Sequence, residues 1–151
     1  MDHRYFMELA LQQAEQARAI GEVPVGAVIV LGEQVIAKAH NQKEALQNPL
    51  AHAELLAIHG AAKQLNTWRL AGTTMYVTLE PCVMCTGALI QARVDTLVYG
   101  ASDLKGGACG TCFNLAQSPL LNHQLKITAG VMEEECSLIL QDFFKEVRKR
   151  K

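Results

Sequence analysis

Thr74-Met-Tyr-Val-Thr-Leu-Glu-Pro-Cys-Val-Met-Cys85 is the stretch on which the architecture turns. Its first six residues, rich in β-branched and aromatic side chains, predict a strand over 74–79. Pro81 suits the first turn of a helix, where its missing N–H had no partner to lose. The helix then runs from about Cys82 to Ala92, and Thr96 to Gly100 reads as a further strand. A strand–helix–strand unit of this kind closes as a parallel pair with a right-handed crossover. Cys82 and Cys85, three apart on one turn, face the same way and can grip one metal ion. The positive end of the helix dipole lowers thiol pKa values there and favours ligation.

Outward from this unit, helices alternate with short apolar strands. Apolar residues recur at helical spacing from about Tyr5 to Ile20 (Phe6, Leu9, Ala10, Ala14, Ala17), and Gly21 is a stop. Val25 to Leu31 is a continuous apolar run, the mark of a strand buried on both faces. Gly32-Glu33 turns it into Val35 to Ala39, so these two strands form an antiparallel hairpin. Residues 41–50 are polar and irregular. Helices over about 52–65 and 133–148 and a short strand over 125–128 complete the pattern, with a glycine-rich loop at 103–110. The expectation is one domain covering residues 1–151, an α/β fold with a mixed sheet of roughly five strands covered by helices on both faces.

At 151 residues the chain buries roughly two-thirds of its unfolded surface, and half of it is hydrophobic. A formal net charge of −1 gives no overall field for nucleic acid or anionic membrane. The charge is uneven, however. Residues 145–151 (Lys-Glu-Val-Arg-Lys-Arg-Lys) set five cations against one anion, on an otherwise mildly acidic body. That tail is either a local docking patch or a solvated end. No secretory h-region follows Met1-Asp2-His3-Arg4, and no apolar run approaches the roughly 18 residues that span a bilayer. Five cysteines without a signal peptide point to a reducing cytosol, where CxxC more often means metal or redox chemistry than a structural disulfide. The expected setting is cytoplasmic, with no membrane partner.

His52-Ala53-Glu54 lies at the start of the second helix. Two residues apart, His52 and Glu54 share a centre only over the helix's N-terminal end, where first-turn side chains converge. The arrangement that satisfies both motifs is two helix N-termini facing one ion, with nitrogen from His52 and sulfur from Cys82 and Cys85. Three protein ligands and an open fourth position describe a catalytic zinc site. Zinc lowers the pKa of water in that position to about 7, and Glu54 is then placed to act as general acid and base. His-x-Glu followed 29 residues after His52 by Pro81-Cys-x-x-Cys is the known signature of zinc deaminases.

The chain resembles the bacterial tRNA-specific adenosine deaminase family, within the three-layer α/β/α cytidine-deaminase-like fold. The resemblance rests on Glu22-Val-Pro-Val-Gly-Ala-Val28, Asn41, Asn48-Pro-Leu-Ala-His-Ala-Glu54, Tyr76-Val-Thr-Leu-Glu-Pro-Cys-Val-Met-Cys85, Asn122-His123 and Phe143-Phe144-Lys145. Several of these lie far from the metal motif. The resemblance implies one zinc per subunit and a homodimer. It also implies hydrolysis of the wobble adenosine (position 34) in the anticodon of an arginine tRNA to inosine. It makes Asn41 a hydrogen-bond partner of the target nucleoside, although Asn41 also reads as a turn residue ending a strand.

RNA contacts on such a substrate would come from Lys105 and from Arg148 to Lys151 at phosphates. Phe143 and Phe144 offer either stacking faces or core contacts, and Asp103 and His123 are loop candidates beside the substrate. One feature departs from the family pattern: Cys109-Gly-Thr-Cys112 is a second CxxC, 23 residues beyond Cys85. A four-cysteine structural module is the rival reading, although its usual gap is about 15–20 residues. Cys136, on a stripe with Ile139 and Leu140, reads as core.

Overall fold

The computed structural model describes residues 2–150. Lys151, last of the basic tail, lies outside them. Helix α1 (His3–Ala19) starts where the Asp2 side chain accepts the Tyr5 N–H, and it buries Phe6, Met7, Ala10, Ala14 and Ala17 along one face. Strands β1 (Gly26–Leu31) and β2 (Gln34–His40) form the antiparallel hairpin, turning at Gly32 with φ +65°. Helix α2 (Ala53–Leu65) follows the 41–52 loop and ends on Asn66 in the left-handed conformation, φ 54°. Strand β3 (Thr73–Leu79), helix α3 (Val83–Gln91) and strand β4 (Thr96–Ala101) make the crossover unit, with β3 and β4 parallel. Strand β5 (Lys126–Ala129) pairs parallel with β4, and α4 (Glu133–Lys149) closes the chain.

The strand order is β2-β1-β3-β4-β5. Because β1 pairs antiparallel with β3 while β3, β4 and β5 run together, the sheet is mixed. Alternation along the strands divides the core into two layers. Ala27, Ile29, Met75, Val77, Leu97 and Tyr99 face α2 and α3, together with Ala57, Ala61 and Leu89. Val28, Val30, Tyr76 and Val98 face the other way, onto Phe6, Met7 and Ala10 of α1 and Cys136 of α4. This is the three-layer α/β/α arrangement expected from the pattern. Cys136 is fully buried, and the Tyr76 hydroxyl, deep in the sheet, shares a 2.7 Å hydrogen bond with His3 Nδ1.

Two helix boundaries differ from the expected ones by a residue, with consequences for the site. His52 and Cys82 are the N-caps of α2 and α3, with extended backbones (ψ 151° and 179°), rather than their first helical residues. From that position their side chains reach across the helix ends. Both motifs then sit just beyond one end of the sheet, where α/β folds place their sites.

Helix α1 lies so close to β1 that a Cβ on Gly26 would overlap the Ala10 carbonyl oxygen and crowd the Ala14 nitrogen. Gly26→Ala should therefore push the helix off the sheet and lower the unfolding free energy by about 1–3 kcal/mol. An unchanged urea midpoint would show that α1 moves without cost.

Candidate metal and active site

The two N-caps that would ordinarily accept a backbone N–H with their side chains do not: neither His52 nor Cys82 makes a side-chain capping bond. Their side chains meet each other instead. His52 Nδ1 lies 3.5 Å from Cys85 Sγ and 3.9 Å from Cys82 Sγ. These three are the only cluster of potential metal ligands among the described residues, with all ligand atoms within 4.8 Å of one another. A tetrahedral zinc with bonds of about 2.0–2.3 Å spaces its nitrogen and sulfur donors about 3.6 Å apart. One imidazole and two thiols at these separations fit that group.

The electrostatics favour a ligand set. Hydrogen bonding from the Cys85 thiol holds Cys82 down to about 4, with His52 reinforcing it against desolvation. Cys85 keeps the shared proton and is shifted up by that hydrogen bond and by burial. His52 is raised by its hydrogen bond to Cys82. Glu54, 4 % exposed at the start of α2, lies beside the donors, with Cys85 as a side-chain neighbour. Burial pushes its carboxyl up to about 7, with its own backbone N–H and the nearby His52 ring opposing the shift.

These groups open into a cavity of about 450 Å³ lined by residues of the 41–44 loop, the β3–α3 turn, Asp103 and α4. That volume lies within the range of small-molecule sites. Two buried carboxylates brace its walls. Glu22 Oε1 and Oε2 accept the backbone N–H groups of Glu44 (3.1 Å) and Ala45 (2.6 Å), pinning the 41–45 segment. Glu80 accepts the N–H groups of Asp103 (3.1 Å), Cys109 (3.0 Å) and Thr111 (3.2 Å), together with the Thr111 hydroxyl. Glu22 and Glu80 are 2 % and 1 % exposed, so these bonds replace their hydration. Periodicity gives no sign of such residues. By pattern Glu22 reads as an acid before an apolar run and Glu80 as the residue before Pro81, although both lie in stretches that carry the family resemblance.

The sequence candidates separate on the structure. His52, Glu54, Cys82, Asn41, Asp103 and Phe144 line the cavity, and Cys85 is buried behind it. Asn41 is already engaged: its Nδ2 donates to the Val23 carbonyl (3.2 Å) and its Oδ1 accepts the Lys43 N–H (3.1 Å). Of the adjacent phenylalanines, Phe143 is 7 % exposed and Phe144 43 %, so one serves the core while the other faces the rim. Lys105, Arg148 and His123 are not among the lining residues. His123 sits at the opposite end of the sheet, where its Nε2 bonds the Val94 carbonyl at 2.7 Å. Arg148 and Lys149 occupy the last turn of α4, where cations complement the helix dipole. The four-cysteine rival fails on geometry. Cys109 Sγ is bonded to the Thr86 hydroxyl (3.3 Å), while exposed Cys112 turns to the carbonyls of Asp103 and Leu104.

A family model for the MafB19-like deaminases matches residues 1–148. A tRNA-specific adenosine deaminase of Bacillus subtilis is 51 % identical over 97 % of this chain and 91 % of its own length. Its counterpart from Aquifex aeolicus is 46 % identical over 98 % and 97 %. The chain belongs to the tRNA-specific adenosine deaminase family. A solved tRNA:A34 deaminase, described with A-to-I editing at the wobble position of transfer RNA, superposes with a TM-score of 0.87 at 43 % identity. It covers 90 % of this chain and 99 % of its own. A guanine deaminase structure from Bacillus subtilis also matches, at a TM-score of 0.66 and 34 % identity, covering 74 % of this chain and 71 % of its own. The fold is thus common to deaminases of different bases, and the higher sequence identities are to the tRNA-acting ones.

Purified protein should carry about one zinc per chain. His52→Ala should lose it, whereas Cys109→Ser and Cys112→Ser should keep it; metal analysis giving the reverse pattern would restore the four-cysteine module. Glu80→Ala strands one buried and two part-buried N–H groups and should cost about 2–3 kcal/mol of stability. Chemical denaturation checks this, and a wild-type midpoint would show that the loop finds other acceptors.

Proposed function

We propose that this chain is a zinc-dependent hydrolase that converts the wobble adenosine of a tRNA anticodon, in an arginine tRNA, to inosine with release of ammonia. One observation carries the reading: a buried carboxylate, Glu54, shares a nucleoside-sized cavity with a His/Cys/Cys donor set. Near full-length likeness to tRNA-specific adenosine deaminases supports the choice of substrate.

His52, Cys82 and Cys85 would hold the zinc, which when bound supplies the Lewis acidity that makes water nucleophilic near neutral pH. Glu54 accepts the proton that water gives up on attacking C6 and returns it to the departing amino nitrogen. This is the general acid/base role of the corresponding glutamate in zinc deaminases. A carboxyl held near 7 by burial takes and gives a proton at neutral pH with little penalty either way. The new C6–O bond replaces the C6–N6 bond, so water and adenosine leave as inosine and ammonia.

The cavity admits a single base, so the target nucleotide must be flipped out of its loop to reach Glu54. Asn41 and Asp103 would contact the nucleoside from the two braced walls, and Phe144 offers a ring on which a neighbouring base stacks. Lys105, Arg148 and the basic end of α4 would meet phosphates farther along the anticodon stem-loop. The working unit would be a cytoplasmic homodimer. No helix of the described residues is long and apolar enough to cross a membrane.

The deciding assay is inosine formation in an anticodon stem-loop RNA. Glu54→Gln should retain zinc yet lose about a hundred- to ten-thousandfold in kcat. Full activity of that variant would remove Glu54 from the mechanism, and faster turnover of free guanine or cytidine than of the RNA would move the chain to the base and nucleoside deaminases.

A further inference from the structure

Among the described residues, Lys43 is the only lysine or arginine lining the cavity, and of the five acidic residues there Glu44 and Asp103 reach the solvent-accessible rim. An acidic mouth repels the backbone of any nucleic acid brought to it. The side chain of Lys43 is exposed, and among the described residues it belongs to no ion pair. Its backbone, by contrast, is fixed on both sides. The Lys43 N–H is held by Asn41 Oδ1 at 3.1 Å, and its carbonyl accepts the Asn48 N–H at 3.0 Å. The next two N–H groups end on the buried Glu22 carboxylate. A solvated surface lysine needs none of this support.

We propose that Lys43 binds a backbone phosphodiester of the RNA substrate, next to the nucleotide whose base enters the cavity. The inference rests on the functional reading above and adds to it a contact that positions the strand. Glu22 acts through this rim as a positioning residue, since it fixes the segment carrying both Asn41 and Lys43. An ammonium on a flexible stem suits this role, because it meets a phosphate as a point charge, without the fixed fork geometry of arginine. The contact carries no sequence information and serves register, holding the strand so that one base faces Glu54.

The experiment follows deamination of an anticodon stem-loop RNA by the wild-type holoenzyme, Lys43→Ala and Lys43→Arg over about 50–200 mM KCl. Lys43→Ala should raise KM roughly two- to fivefold with kcat held, as for loss of one solvent-exposed charge pair. Its plot of log kcat/KM against log salt should be shallower by about 0.7, the release expected for one contact on a single strand. Lys43→Arg should restore both values. A Lys43→Ala enzyme with wild-type KM and salt slope overturns the inference, as does one whose kcat falls while KM stays fixed. A wild-type enzyme that ignores the stem-loop but turns over free bases overturns the functional reading itself, and this inference with it, before any variant is compared.

Discussion

Two helices of this fold begin at one point in space, and their positive ends face each other. Left alone, that junction is unfavourable, because the unpaired N–H groups of α2 and α3 put like partial charges together. The chain meets the difficulty with side chains that are, or readily become, anionic: Cys82 as a thiolate and Glu54 in the first turn of α2. His52 and Cys82 sit at the N-cap positions without capping, which leaves them free to face across the gap. The electrostatic need of the junction and the donor set of a metal site are therefore one arrangement. A cation at its centre would stabilise both sulfurs as thiolates, and these would in turn offset the helix dipoles.

The junction depends on the sheet for its placement and on two carboxylates for its walls. The β3–α3 turn fixes Cys82 and Cys85 because β3 is the central strand, hydrogen-bonded on both sides to β1 and β4. The 41–52 loop, which carries His52, has no such sheet partner. It is held by Asn41 and Glu22, through backbone N–H groups and carbonyls. Carboxyl groups buried among N–H donors are costly to strand and favourable when saturated. The rims of the cavity are braced in this way, although they are loops.

Much of this was legible from residues, for reasons that differ by element. The apolar run at Val25 to Leu31 marked a doubly covered strand, and Thr74 to Leu79 marked the strand entering the metal turn. His-x-Glu and Pro-Cys-x-x-Cys marked the two halves of the cluster because metal chemistry dictates both residue type and spacing. The bracing acids were not legible, since a carboxylate that accepts loop N–H groups obeys no period of 2 or 3.6. Lys43 was missed for a related reason: it lies in a polar, irregular segment whose shape depends on Glu22, well back along the sequence. His123 misled in the opposite direction. A histidine beside the family's Asn122 suggested substrate, while its Nε2 meets the Val94 carbonyl away from the cavity. The second CxxC shows that a matching spacing means little without convergence of the sulfurs.

The Glu80 brace has a consequence for how this chain can change. Three of the four groups it receives from the 103–111 loop are backbone N–H groups, which every residue but proline supplies. Much of the loop's contour is thus specified by a residue outside it, and the exposed Leu104 and Lys105 owe little of their placement to their own side chains. Gly107 is the exception, since a Cβ there would press into the Glu80 carboxylate. Such a loop is free to vary in chemistry at constant shape, so the rim nearest Asp103 can be retuned toward a different base while the neighbouring metal ligands stay where they are.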